Sequence, residues 1–156
     1  MVRWLRRRRG EGAQSLAEFA LLVPIFLILV FGIIDFGMGL RAYITVAQAT
    51  REGARYGSVG NPPGTFTSGG AGDCNGSTTT SVVGRVCGTL DGLDLTDVNT
   101  VSVTYPNGAT PGQSVRVRGV YHYHYITPVK ALVNFLSAGS LPDYIPVSST
   151  TDMRLE

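Results

Sequence analysis

Phe19 to Ile34, "FALLVPIFLILVFGII", is sixteen residues without a charge, and Phe19 to Leu40 is twenty-two with Asp35 as the one exception. A helix that spans a bilayer takes roughly 20 predominantly apolar residues. No other segment of the chain approaches that length, so the run dictates the architecture: an anchor first, then whatever the remainder folds into. Arg3, Arg6, Arg7, Arg8 and Arg9 stand just ahead of it, opposed only by Glu11. Basic residues beside a span remain on the cytoplasmic side, so the N-terminus is expected inside and the rest of the chain exported. A cleaved secretory signal is the other reading, with "AQA" (Ala47 to Ala49) as the small-residue site. That site lies some thirteen residues beyond Ile34, and the run exceeds the usual ~7–15-residue apolar core of such signals.

The formal charge of +2 averages two unlike parts. From Gln14 onward eight Lys/Arg face ten Asp/Glu, so the exported part is mildly acidic. Nucleic-acid binding calls for basic residues spread over a folded surface. Here they crowd into a tail, and no nucleic-acid partner is expected.

Helical spacing continues beyond the apolar run. In "RAYITVAQATREGARYG", Ala42, Val46, Ala49, Gly53 and Tyr56 form one small-residue stripe, and Glu52 and Arg55 can pair three residues apart. A helix from Gln14 to Tyr56 is ~65 Å long, about twice a bilayer core, so its outer half needs a soluble partner surface. Pro24 removes one backbone donor and crowds the carbonyl of Ala20, which predicts a kink. Gly, Pro, Ser and Thr then dominate from Gly57, and no period survives. "TTTSVVGRVCGTL" predicts a short helix from about Thr80 to Leu90 with Thr caps. Val98, Val101, Val103 and Tyr105 alternate as a strand; "PNGATPGQ" turns the chain; Val115, Val117 and Val120 onward form a second strand. Gly119 interrupts that alternation and suggests a bulge. A third strand is expected around Ser148 to Leu155, and "TPVKALVNFLSAGSLPDY" predicts an amphipathic helix covering one face of the sheet. The expected organisation is a basic cytoplasmic leader (1–13), a transmembrane and extended helix (14–56), a Gly/Ser/Thr-rich loop (57–79) and an exported α+β domain (80–156).

Cys74 and Cys87 are the two cysteines. In an exported segment a disulfide is chemically permitted, and closing the loop between them contributes ~2–3 kcal/mol. Two unpaired thiols are the other possibility; zinc is disfavoured because no second ligand pair stands at suitable spacing. His122 and His124 share one face of a strand, but no third metal ligand accompanies them, and they read as strand residues. No nucleophile, base and oxyanion set stands out, and no Gly-rich loop follows a strand to cradle phosphate. The chain is expected to be neither an enzyme nor a holder of cofactor, metal or small-molecule substrate.

Glu18 does not fit a plain anchor. A carboxylate in the membrane core costs about 2.5–3.5 kcal/mol on insertion scales. Glu18 and Asp35 lie ~25 Å apart along a helix, so each can sit near one interface. That accounts for Asp35, but not for the pattern around Glu18.

"AQSLAEFALLVP", "GIIDFG" (Gly32 to Gly37) and "REGARYG" (Arg51 to Gly57) together resemble TadE-type pseudopilins, minor pilin-like proteins of tight-adherence (Flp-type) pilus systems. The resemblance covers roughly the first sixty residues; beyond them only the general layout is similar. It implies a class III signal read by Gly12, Ala13, Gln14, Glu18 and Phe19, in which a membrane-embedded prepilin peptidase cuts ahead of the apolar helix. Placing Glu18 fifth in the mature chain puts the cut between Ala13 and Gln14; a cut after Gly12 makes it sixth. It further implies a pilin-like α+β fold, a single-pass bacterial membrane protein able to enter a pilus, and a role in pilus assembly for adhesion or secretion. The implied partners are other pilins or pseudopilins, the peptidase and the inner-membrane platform. A neighbour's Glu18 meeting the new amino terminus would set the register between subunits; Gly32, with Gly37 and Gly39, offers close helix approach, and Asp35 is the third assembly candidate. The alternative is a bitopic, membrane-anchored binding module unrelated to pili.

Overall fold

The structure, a computed structural model, describes residues 4–59, 71–72, 74, 81–136 and 141–156, with backbone only for 4–11 and 71–72. Most of the expected loop 57–79, together with Thr80, lies outside the described residues. The elements are α1 (Trp4–Val59), β1 (Ala71–Gly72), α2 (Val82–Thr89), a 3-10 turn (Leu95–Asp97), β2 (Val98–Thr104), β3 (Ser114–His124), α3 (Val129–Leu136) and β4 (Tyr144–Arg154). The fold class is α+β: a long apolar helix, short helices and a small antiparallel sheet. α1 runs as helix through Pro24 and includes residues expected as leader. Two compact units form, one from Met1–Gly37 with Tyr125–Asp143, the other from Met38–His124 with Tyr144–Glu156.

In the second unit the sheet order is β1-β2-β3-β4, all antiparallel, with β1 only two residues long. Alternation decides its faces. Val115, Val117, Gly119, Tyr121 and Tyr123 of β3 are buried, whereas Arg116, Arg118 and His124 are exposed. Removing a valine side chain such as Val101, Val115 or Val117 from water contributes about 1.5–3 kcal/mol, and all three are fully buried. Burial also pushes the Tyr121 phenol above its ordinary pKa. On the open face Arg116 stands opposite Asp152 and makes a two-pronged ion pair at 2.8 and 2.9 Å. The hydrogen bond from Arg116 holds the Asp152 carboxyl below its usual pKa.

The outer part of α1 covers the buried face of the sheet. Ala42, Val46, Ala49 and Gly53 are buried as the stripe requires, joined by Thr50, Ala54 and Gly57. Thr50 Oγ1 bonds Ser149 Oγ at 3.3 Å and Thr151 Oγ1 at 3.2 Å, tying helix to β4. Gly119 is not a bulge: it pairs in register with Val101 and Ser149. A Cβ there would lie 3.2 Å from Thr50 Cγ2 and 3.4 Å from Val46 Cγ1, so the glycine admits the helix. The irregularity sits on β2, where Asn99 is extra between the Val98–Tyr121 and Thr100–Val120 pairs.

Two local expectations change. Ser81, rather than a threonine, caps α2 by accepting from the Gly84 N–H at 2.9 Å. Glu52 pairs with Arg85 of α2 at 3.0 Å instead of with Arg55; tertiary proximity supplies a two-donor partner that the helix neighbour does not. The expected amphipathic helix is α3, which belongs to the unit built on the first part of α1.

Candidate functional site

α1 presents its apolar side chains on almost every side. Leu16, Phe19, Leu22, Ile25, Phe26, Leu29 and Ile33 are all more than half exposed. A helix that is apolar all round requires lipid or other helices around it. Residues Gly12–Val59 are long and apolar enough to cross a membrane.

Within this surface Gly12, Ala13, Gln14 and Glu18 are exposed at the start of the apolar stretch. Gln14 Nε2 donates to Glu18 Oε1 at 3.0 Å, one turn along the helix. The carboxylate is thus held by the residue that cleavage after Ala13 would convert into the new N-terminus. Phe19 projects outward beside it. Cβ positions built at Gly12, Gly32 and Gly37 meet nothing within 4 Å, so this surface is open to a neighbouring helix. Gly39 differs, because the ring of Tyr123 lies 3.6 Å from its Cβ position.

Asp35 is engaged within the chain. Its side chain is buried, with 5% exposure. Oδ1 accepts from the Ile126 N–H at 2.9 Å and the Thr127 N–H at 3.3 Å, while the Thr127 hydroxyl donates to Oδ2. The three donors satisfy a charge that would otherwise be costly at the end of an apolar run. No sequence signal pointed to them, since the partners are 91 and 92 residues away.

Cys74 and Cys87 form a disulfide with Cα atoms 5.4 Å apart, joining α2 to the preceding segment. Non-reducing mass spectrometry of protein taken from the cell envelope is expected to show this bond. Replacing both cysteines with Ser is expected to lower stability by about 2–3 kcal/mol. Free thiols in envelope protein would contradict both the bond and the export of this segment. His122 stacks on Tyr144 with ring centroids 4.0 Å apart, and His124 Nε2 lies 3.4 Å from Asp97 Oδ1. Each imidazole therefore has a protein partner on the exposed face of the sheet.

These features define a class of protein: an apolar helix able to span a membrane, continuing into the core of a small α+β domain. Residues 13–55 match the family model of TadE-like proteins, so over this helix the chain is similar to that family. No curated protein and no solved structure matches the chain.

Proposed function

We propose that this chain is a minor pseudopilin that takes part in assembling a tight-adherence pilus. The observation that carries the reading is the TadE-like match over residues 13–55, which spans the segment where Glu18 stands at the head of an exposed apolar helix. In this reading the arginine cluster stays cytoplasmic, α1 anchors the chain in the bacterial membrane, and the sheet domain is exported. A prepilin peptidase removes the leader. The mature helix then associates with other pilins or pseudopilins on the inner-membrane platform, in service of adhesion or secretion. The role is structural, and no residue is assigned to catalysis.

The physical logic lies in the new α-amino group. Cleavage creates a cation at the membrane edge, and a neighbour's Glu18 can approach it where the dielectric is low. Gly32 and its open surroundings allow helices to come close, as small residues do in membranes.

The reading is tested by N-terminal sequencing of the chain co-produced with its cognate peptidase. Gln14 is the expected first residue. Retention of Arg6 to Arg9, with export of the domain independent of any pilus machinery, would instead support a membrane-anchored binding module.

A further inference from the structure

We infer that α3 and the adjoining Ile126 form a second membrane contact, lying against the outer leaflet beside the helix that spans it. This rests on the proposed reading of α1 as a single-pass anchor whose C-terminal side faces outward. Three observations within the first compact unit point to it. The Asp35 carboxylate tethers the Ile126–Thr127 backbone to the residue that follows the uncharged run. That fixes the start of α3 where α1 leaves the hydrocarbon.

The second observation is a shielded stripe on α1. Pro24, Leu27, Ile28 and Phe31 are half-buried on the face that carries buried Asp35, whereas Ile25, Phe26, Leu29 and Ile33 are exposed. Among the described residues, this unit contains besides α1 only 125–136 and 141–143. Phe31 stands one turn before Asp35, on the side where the Ile126–Thr127 backbone is held.

The third observation is what α3 turns outward. Phe135 is 85% exposed, Ile126 64% and Leu136 51%. The two charges of the segment, Lys130 and Asp143, pair with each other, so it is electrically neutral. A short helix with aromatic and aliphatic side chains outward, tethered through Ile126 and Thr127 to Asp35 of a spanning helix, suits the boundary between headgroups and acyl chains. The lipid surface is thus the occupant of this face.

The test uses the full chain carrying Trp4→Phe, with a single reporter introduced as Phe135→Trp, in phosphatidylethanolamine/phosphatidylglycerol vesicles. Brominated acyl chains quench a buried indole. Emission from the Phe135→Trp variant is expected to be blue-shifted and quenched, as is emission from a Phe26→Trp variant in the middle of α1. Quenching at position 26 with none at 135, nor in a separate Leu136→Trp variant, would overturn the inference and leave the anchor standing. A blue shift at 135 that grows with protein-to-lipid ratio but shows no bromine quenching would assign the face to a second copy, and would also overturn it. No quenching at position 26 would mean that the anchor reading itself fails, and the inference with it.

Discussion

Glu18→Gln is expected to abolish pilus assembly while leaving membrane insertion intact. The amide keeps the size and polarity of the side chain and lowers the desolvation cost, so α1 inserts at least as well. It removes the negative charge that would meet a neighbour's amino terminus. Breaking such a pair where it is dehydrated costs about 3–5 kcal/mol, and every ~1.4 kcal/mol is tenfold in association. Each subunit contact should therefore weaken more than about a hundredfold. In the single chain Glu18 is already held by the Gln14 side chain; in the proposed assembly the neighbour's α-amino group would have to displace or share that bond. Carbonate extraction of membranes, beside counting of sheared pili, separates the two effects. Normal piliation by the variant would reduce Glu18 to an interfacial residue with no part in assembly.

Gly53→Leu is expected to unfold the sheet domain at markedly lower temperature. A Cβ at Gly53 would lie 2.3 Å from Val86 Cγ2, with Val117 Cγ1 and the Val82 carbonyl each 3.6 Å away. Val86 is itself buried, at 1% exposure, and β-branching leaves it few rotamers. Overpacking costs about 1–3 kcal/mol, and the 2.3 Å approach to Val86 puts this substitution at the upper end of that range, against a gain of about 1 kcal/mol from replacing a helical glycine. The net loss of about 2 kcal/mol lowers Tm by roughly 10 °C for a domain of this size. Gly88→Ala is the control: nothing lies within 4 Å of that Cβ position, so the propensity gain should appear unopposed. Near-UV circular dichroism of the full chain in detergent reads both. A Gly53→Leu variant as stable as the parent would mean that α2 does not pack against α1 as described.

The buried stripe of α1, the strands and the turn between them were legible because local periodicity encodes them. Period 3.6 placed Ala42, Val46, Ala49 and Gly53 on one face, and period 2 placed Val115 and Val117 opposite Arg116 and Arg118. The turn needed Gly108, whose φ of 95° suits a residue without a Cβ. Gly119 was misread for an equally physical reason. A glycine within a strand signals either a bulge or a close backbone approach, and only the position of Val46 and Thr50 against it tells which. Glu52 likewise found Arg85 rather than Arg55, because a neighbour on the same helix cannot be ranked against one across a core.

By itself the sequence determined the apolar run, the basic residues ahead of it, the carboxylate at its head and the α+β character of the rest. These follow from composition and short-range spacing. The tertiary structure decided where the long-range partners fall. It set Asp35 against Ile126 and Thr127, assigned α3 to the unit of the apolar helix, and made Gly53 and Gly119 points of close packing. Those pairings join residues tens of positions apart, and the burial that makes them favourable exists only once the chain has folded.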